Sequence, residues 1–103
     1  VLSGRATAAM KDGEVDWAFS HHMLEHVRNL DAATREISRV VKRGLFLVFP
    51  LEDEASVNKN PSHMHYSLDP DYFIKPFENL GWKRGWFEPP CELRYDYQVF
   101  LYK

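Results

Sequence analysis

The feature that most constrains this chain is a short, unbroken apolar run, Leu45 to Phe49, which ends at Pro50. Five consecutive apolar residues are typical of a strand that is buried on both faces of a parallel sheet. The run is far shorter than the roughly 20 residues that a membrane-spanning helix needs. The sequence therefore predicts a buried strand here and no association with a membrane.

The segments before this run predict a helix and a second strand. A helix beginning at Asp31, the expected N-cap, would place its apolar residues on one face: Ala33, Ile37, Val40 and Val41. Gly44 fits the left-handed end of that helix. Further upstream, Val15 to Ser20 is rich in β-forming residues, and a short helical turn is expected within Met23 to His26. Strand, helix and strand together predict a βαβ unit.

The rest of the chain predicts a loop, a helix and a hairpin. Leu51 to Ser67 has no helical or strand period, so we expect a long loop, which in compact domains is often functional. A helix capped by Asp69 and closed by Gly81 should follow. Trp82 to Phe87 and Leu93 to Lys103 then predict an antiparallel hairpin.

Composition limits the classes of protein that remain. A length of 103 residues suits one domain, and no linker divides residues 1–103. The net charge of −2 argues against a nucleic-acid partner. The single cysteine, Cys91, favours a reducing cytoplasm. Aromatic residues make up 15% of the chain, more than so small a domain easily buries, so some should face a ligand or a partner.

Three motifs, taken in order, carry a resemblance to a known family: Val15-Asp16, Leu24-Glu25-His26 and Arg39-Val40-Val41-Lys42-Arg43-Gly44. In this order they resemble the segment that follows the cofactor loop in class I S-adenosylmethionine-dependent methyltransferases of type 11. Upstream, Gly4 to Thr7 resembles the segment after the third strand of that family, although Arg5 stands where family members usually carry an acid. Downstream, Leu68 to Trp82 resembles the family's next helix.

The resemblance implies an α/β fold and a partial domain. The family sheet has the strand order 3-2-1-4-5-7-6, and this chain would supply strands 4, 5, 7 and 6 of a Rossmann-like sheet. Two main helices and the C-terminal antiparallel hairpin complete that expectation. The glycine-rich cofactor loop and the acid after the second strand do not occur in this sequence. Because one apolar sheet face would be uncovered, we expect a homodimer or a separately supplied N-terminal half.

The resemblance also implies a cofactor, S-adenosylmethionine, and a small-molecule methyl acceptor. Ser20, His21 and His22 would lie near the methyl donor, at the carboxyl end of the first predicted strand. The alternative is a polar turn satisfied by water. His26 would face the substrate or brace the loop beneath it.

The predicted loop holds the remaining candidates. His63 and His65 are the candidate catalytic residues, because a neutral imidazole can accept a proton near working pH. Tyr66 is a candidate to face the substrate. The alternative for these histidines is a hydrogen bond that stabilises the loop.

Two further interpretations stay open. His22 to His26 spells the zinc signature H-x-x-E-H, which needs a full helix and a third ligand, so we predict no metal and keep His22 and His26 as a minor alternative. The chain could also be a non-catalytic remnant that serves as an oligomerisation or interaction module.

Overall fold

A four-stranded mixed sheet forms the centre of the computed structural model, which describes residues 10–59, 62–91 and 96–103. The strands are β1 (Val15–His21), β2 (Val41–Pro50), β3 (Lys83–Glu88) and β4 (Asp96–Tyr102). β1 pairs in parallel with β2, and β4 lies antiparallel between β2 and β3. The order β1-β2-β4-β3 is the order 4-5-7-6 expected from the resemblance. The predicted α/β fold is confirmed.

Within the described ranges, four helical segments connect the strands. They are a one-turn 3-10 helix (Leu24–His26), α1 (Leu30–Val40), α2 (Glu54–Asn58) and α3 (Asp71–Glu78). The predicted βαβ unit and the two main helices are confirmed in α1 and α3. No helix in the described part of the chain is long and apolar enough to cross a membrane. Arg5 and the start of the predicted last strand, at Leu93, lie outside the described residues.

The core lies between the sheet and helices α1 and α3. Alternate residues of β2, namely Leu45, Leu47 and Phe49, are fully buried, and so are Phe73 and Phe77 of α3. Phe49 and Phe73 pack with their ring centroids 4.7 Å apart. Because alternate residues of a strand point to opposite faces, this packing uses only one face of β2.

The boundary between α1 and β2 differs from the prediction. Asn29, rather than Asp31, caps α1, because its side-chain oxygen accepts a hydrogen bond from the Ala32 amide at 3.0 Å. The helix ends at Val40 and β2 begins at Val41, so Gly44 lies inside a strand and does not end the helix. The strand starts early because Val41 already pairs with Val15, the first residue of β1.

Gly44 has a different role, which depends on Trp17 of β1. A Cβ atom at Gly44 would lie 2.2 Å from two ring atoms of Trp17 and 3.0 Å from Phe100. The Trp17 ring therefore lies directly over the glycine, where it stacks on Phe100 with a centroid distance of 5.8 Å. Glycine at this position lets the indole approach the strand.

The predicted loop from Leu51 to Ser67 contains a short helix, α2, so the prediction of no secondary structure there is wrong. The Asp53 carboxylate caps α2 by accepting a hydrogen bond from the Ser56 amide at 2.9 Å. Hydrogen bonds from Ser56 hold the pKa of the Asp53 carboxyl below its ordinary value. A single capped turn is too short to show a period in the sequence.

The second main helix runs from Asp71 to Glu78 with Pro70 and Asn79 as its caps, so the predicted N-cap at Asp69 and the predicted end at Gly81 are each misplaced by one or two residues. The Asp69 carboxylate accepts a hydrogen bond from the Asp71 amide at 2.9 Å, at the start of α3. Gly81, just beyond the helix, has a φ of 98°, a conformation that favours glycine. Pro76 lies inside α3.

The sheet face opposite the helices carries a row of aromatic rings, here named the aromatic face: Trp17, Phe19, Phe46, Trp86 and Phe100. Phe46 stacks between Phe19 and Trp86, with centroid distances of 5.5 and 5.8 Å. Trp17, Phe19 and Trp86 remain exposed. Phe46 is only half-buried, so the prediction that the apolar run is buried on both faces is wrong at this residue.

The contact between Gly44 and Trp17 can be tested by substitution. We expect Gly44→Ala to lower the free energy of unfolding by about 1–3 kcal/mol, because the indole must move off the strand. In a Trp17→Ala background the same substitution should cost less than about 1 kcal/mol. Urea unfolding measures both values. An equal cost in the two backgrounds would contradict the contact.

Candidate functional site

The site lies at the carboxyl end of β1, where the chain turns sharply. His22 follows the strand with a φ of 51°, a left-handed conformation that is uncommon for a bulky residue. Its amide donates a hydrogen bond to the Val48 carbonyl at 2.9 Å, which fixes the turn against β2. Ligands of open α/β sheets bind at the carboxyl ends of parallel strands.

The His22 imidazole lies between two carboxylates. Its Nδ1 is 3.3 Å from Oε2 of Glu25, in the 3-10 helix, and its Nε2 is 3.1 Å from Oδ2 of Asp96, at the start of β4. His22 thus connects β1, the 3-10 helix and β4. His21, His22 and Asp96 each offer one possible metal-ligand atom within 4.8 Å of the others.

Glu25 is fully buried and holds the long connection in place. Its carbonyl oxygen accepts hydrogen bonds from the amides of Met64 and His65, at 2.6 and 3.1 Å. Neither oxygen of its carboxylate has a hydrogen-bond partner among the described residues. The connection therefore lies against the 3-10 helix at this residue.

Two histidines meet beside Glu25. The rings of His26 and His63 pack edge to face, with their centroids 4.6 Å apart. The Nδ1 of His26 donates to the Ser62 carbonyl at 3.0 Å, and the Nδ1 of His63 donates to Oε1 of the buried Glu52 at 2.6 Å. Both oxygens only accept, so the proton of each neutral imidazole is on Nδ1 and a lone pair remains on Nε2.

His65 has both ring nitrogens engaged in the connection. Its Nε2 donates to the Arg28 carbonyl at 3.3 Å, and its Nδ1 therefore accepts from the Tyr72 hydroxyl at 2.9 Å. This residue joins the connection to α3. Tyr66, next along the chain, is 41% exposed and lies on the outer side of the connection.

The structure brings some of the predicted residues together and separates others. The side chains of His22, His26 and His63 lie near the Glu25 carboxylate, whereas the His65 ring bonds Arg28 and Tyr72 instead. Ser20, His21 and His22 follow one another but differ in surroundings: Ser20 is buried, and its hydroxyl has no hydrogen-bond partner among the described residues, while His21 is exposed.

The zinc signature H-x-x-E-H is not formed. It needs a full helix through His22 and His26, but the helix here is one turn long and His22 lies before it in a left-handed conformation. The sequence analysis also missed Glu52 and Asp96. Asp96 lies 74 residues from its partner His22, so no local spacing could indicate the contact.

Comparisons with known proteins agree with this fold. A family model described as a methyltransferase domain matches residues 1–49. A crystal structure of an S-adenosylmethionine-dependent methyltransferase from Archaeoglobus fulgidus is similar, with a TM-score of 0.73, 16% identity and 100% of this chain covered. A protein assigned as a type 11 methyltransferase from Sulfolobus solfataricus gives a TM-score of 0.66 and 13% identity over 92% of this chain.

These matches confirm the resemblance drawn from the sequence: the chain has a methyltransferase-like, Rossmann-like fold. It spans 66% of the Archaeoglobus chain and 53% of the Sulfolobus chain. No match is found among curated proteins.

The hydrogen bond between Glu52 and His63 predicts a measurable contribution to stability. Glu52→Gln keeps the shape of the side chain but removes its charge, so we expect a loss of about 1.5–3 kcal/mol in the free energy of unfolding. Glu54→Gln, an exposed neighbour, is the matched control and should change it by less than about 0.5 kcal/mol. Equal effects in urea unfolding would contradict the role of Glu52.

Proposed function

We propose that the chain forms the C-terminal part of an S-adenosylmethionine-dependent methyltransferase domain that acts on a small-molecule acceptor. The observation that carries this proposal is the parallel β1–β2 pair, inside the region matched by the methyltransferase model, with a polar turn at its carboxyl end. A reducing cytoplasm is the proposed compartment, because Cys91 is a free thiol.

In the proposed reaction, a nucleophilic atom of the acceptor forms a bond to the methyl carbon. The bond from that carbon to the sulfur of S-adenosylmethionine would break with its electron pair left on sulfur, and the proton that the acceptor loses would pass to a base such as His63. The protein contributes mainly by positioning the two reactants. The glycine-rich loop that completes the cofactor site would come from an N-terminal half of the domain or from a partner chain.

Ser20, His21 and His22 are the residues proposed to contact the cofactor. The buried Ser20 hydroxyl supports this assignment, because a polar group of a ligand would satisfy a hydrogen bond that the described residues leave unmade. His22 would be held in position by Glu25 and Asp96.

Residues on the long connection are proposed to face the acceptor. Of the two candidate proton acceptors, His63 is favoured, because it keeps a lone pair on Nε2 while both nitrogens of His65 are engaged. His26 of the 3-10 helix, beside His63, and the exposed Tyr66 of the connection are also proposed to contact the acceptor.

Titration with S-adenosylmethionine tests the cofactor assignment. We expect the amide chemical shifts of Ser20, His21 and His22 to change at cofactor concentrations up to about 1 mM. The affinity should be weak because the glycine-rich loop does not occur in this sequence. His22→Ala should reduce these shift changes, whereas Lys83→Ala, at the opposite edge of the sheet, should leave them unchanged. Unchanged amide shifts at the end of β1 would contradict the assignment.

The aromatic face favours a second candidate function, an oligomerisation module, and we propose that a second copy of the chain covers it. Monomeric proteins rarely expose contiguous apolar patches of more than a few hundred Å². Here Trp17, Phe19 and Trp86 are 61%, 47% and 48% exposed on one face. Two such faces can pack together through their aromatic rings. This contact would account for the aromatic content of the chain, which is high for so small a domain.

Sedimentation equilibrium tests this second candidate. We expect a concentration-dependent dimer, and Phe19→Lys or Trp86→Lys should raise the dimer dissociation constant at least tenfold. Leu68→Lys is the matched control, because Leu68 is 66% exposed but lies outside the sheet. A monomer at all concentrations, or equal weakening by all three variants, would contradict a dimer through the aromatic face.

A further inference from the structure

The Glu25 carboxylate is buried and accepts no hydrogen bond from a described residue. The residue is 0% exposed. Its Oε2 lies 3.3 Å from His22 Nδ1, a contact that is an ion pair only when His22 is protonated. A buried carboxylate is costly unless it is paired, hydrogen-bonded or bound to a metal. With His22 neutral, a bound cation would supply the positive charge that this carboxylate needs.

The two histidines beside it are in the form that binds a metal. His26 and His63 each donate Nδ1–H to an oxygen, the Ser62 carbonyl and the Glu52 carboxylate respectively. Metal-bound histidines commonly make this hydrogen bond, which fixes the tautomer and orients the ring. The lone pair on each Nε2 is left for a metal ion.

The three residues lie close enough together to share one ion after small side-chain rotations. Glu25, His26 and His63 each offer one ligand atom, and these atoms lie within 4.8 Å of one another. Two imidazoles and one carboxylate suit Zn²⁺ or a similar late first-row divalent cation. We propose that these three residues form a zinc-type binding site, with Glu52 and the Ser62 carbonyl orienting the imidazoles.

This site goes beyond the proposed function and differs from the sequence signature. It excludes His22, whose Nε2 faces Asp96, and it uses His63 of the long connection instead. An ion here would join the 3-10 helix to that connection and leave a fourth position for water. It would also take the Nε2 lone pair that a proton-accepting His63 would use, so the two roles are alternatives for one atom.

Calorimetric titration of the chelator-treated full chain with zinc chloride tests the proposal. We expect one zinc ion per chain, with His26→Ala and His63→Ala each weakening the affinity at least tenfold. His65→Ala is the matched control, because this residue lies on the same connection with both nitrogens engaged. Circular dichroism confirms that each variant is folded.

Thermal melting gives an independent readout. Glu25→Gln should be at least as stable as the parent chain without metal, because the amide carries no buried charge. The rise in Tm that zinc gives the parent chain should be lost in this variant.

Three results would overturn the proposal: no stoichiometric zinc, unchanged affinity in both His26→Ala and His63→Ala, or a full zinc-induced rise in Tm for Glu25→Gln. Loss of binding in His22→Ala but not in His63→Ala would place the ion with His21, His22 and Asp96, and would also overturn it. None of these readouts involves S-adenosylmethionine, so failure here is distinct from failure of the proposed function.

Discussion

The parallel pairing of β1 with β2 is the interaction on which the rest of the structure depends. Parallel neighbours need a crossover, which α1 supplies, and the crossover places α1 over one face of the sheet. The same pairing brings the carboxyl ends of both strands to one edge. The His22 turn and the long connection after β2 therefore meet there, because each follows one of the two strands.

The two faces of the sheet have different roles. One face packs Leu45, Leu47 and Phe49 against α1 and α3 and supplies the core. The other carries the aromatic face, which is contiguous and largely exposed. The strand order is the one expected from the methyltransferase resemblance, and the chain spans 66% of the Archaeoglobus chain and 53% of the Sulfolobus chain.

Local patterns in the sequence predicted most of the fold but little of the site. The helical period of α1 and the apolar run of β2 each depend on neighbouring residues only, so the sequence alone indicates them. Gly44 was misjudged because its role depends on the Trp17 ring of another strand. The contacts of His22 with Asp96 and of His63 with Glu52 join distant segments, so no spacing indicated them.

The central claim is that the carboxyl end of β1 holds the functional site of a methyltransferase-like sheet. A crystal structure of the chain grown with S-adenosylmethionine tests it most directly. The account predicts cofactor density beside Ser20, His21 and His22, with β1-β2-β4-β3 as the strand order. Electron density for the cofactor at any other place, such as the aromatic face, would contradict this claim.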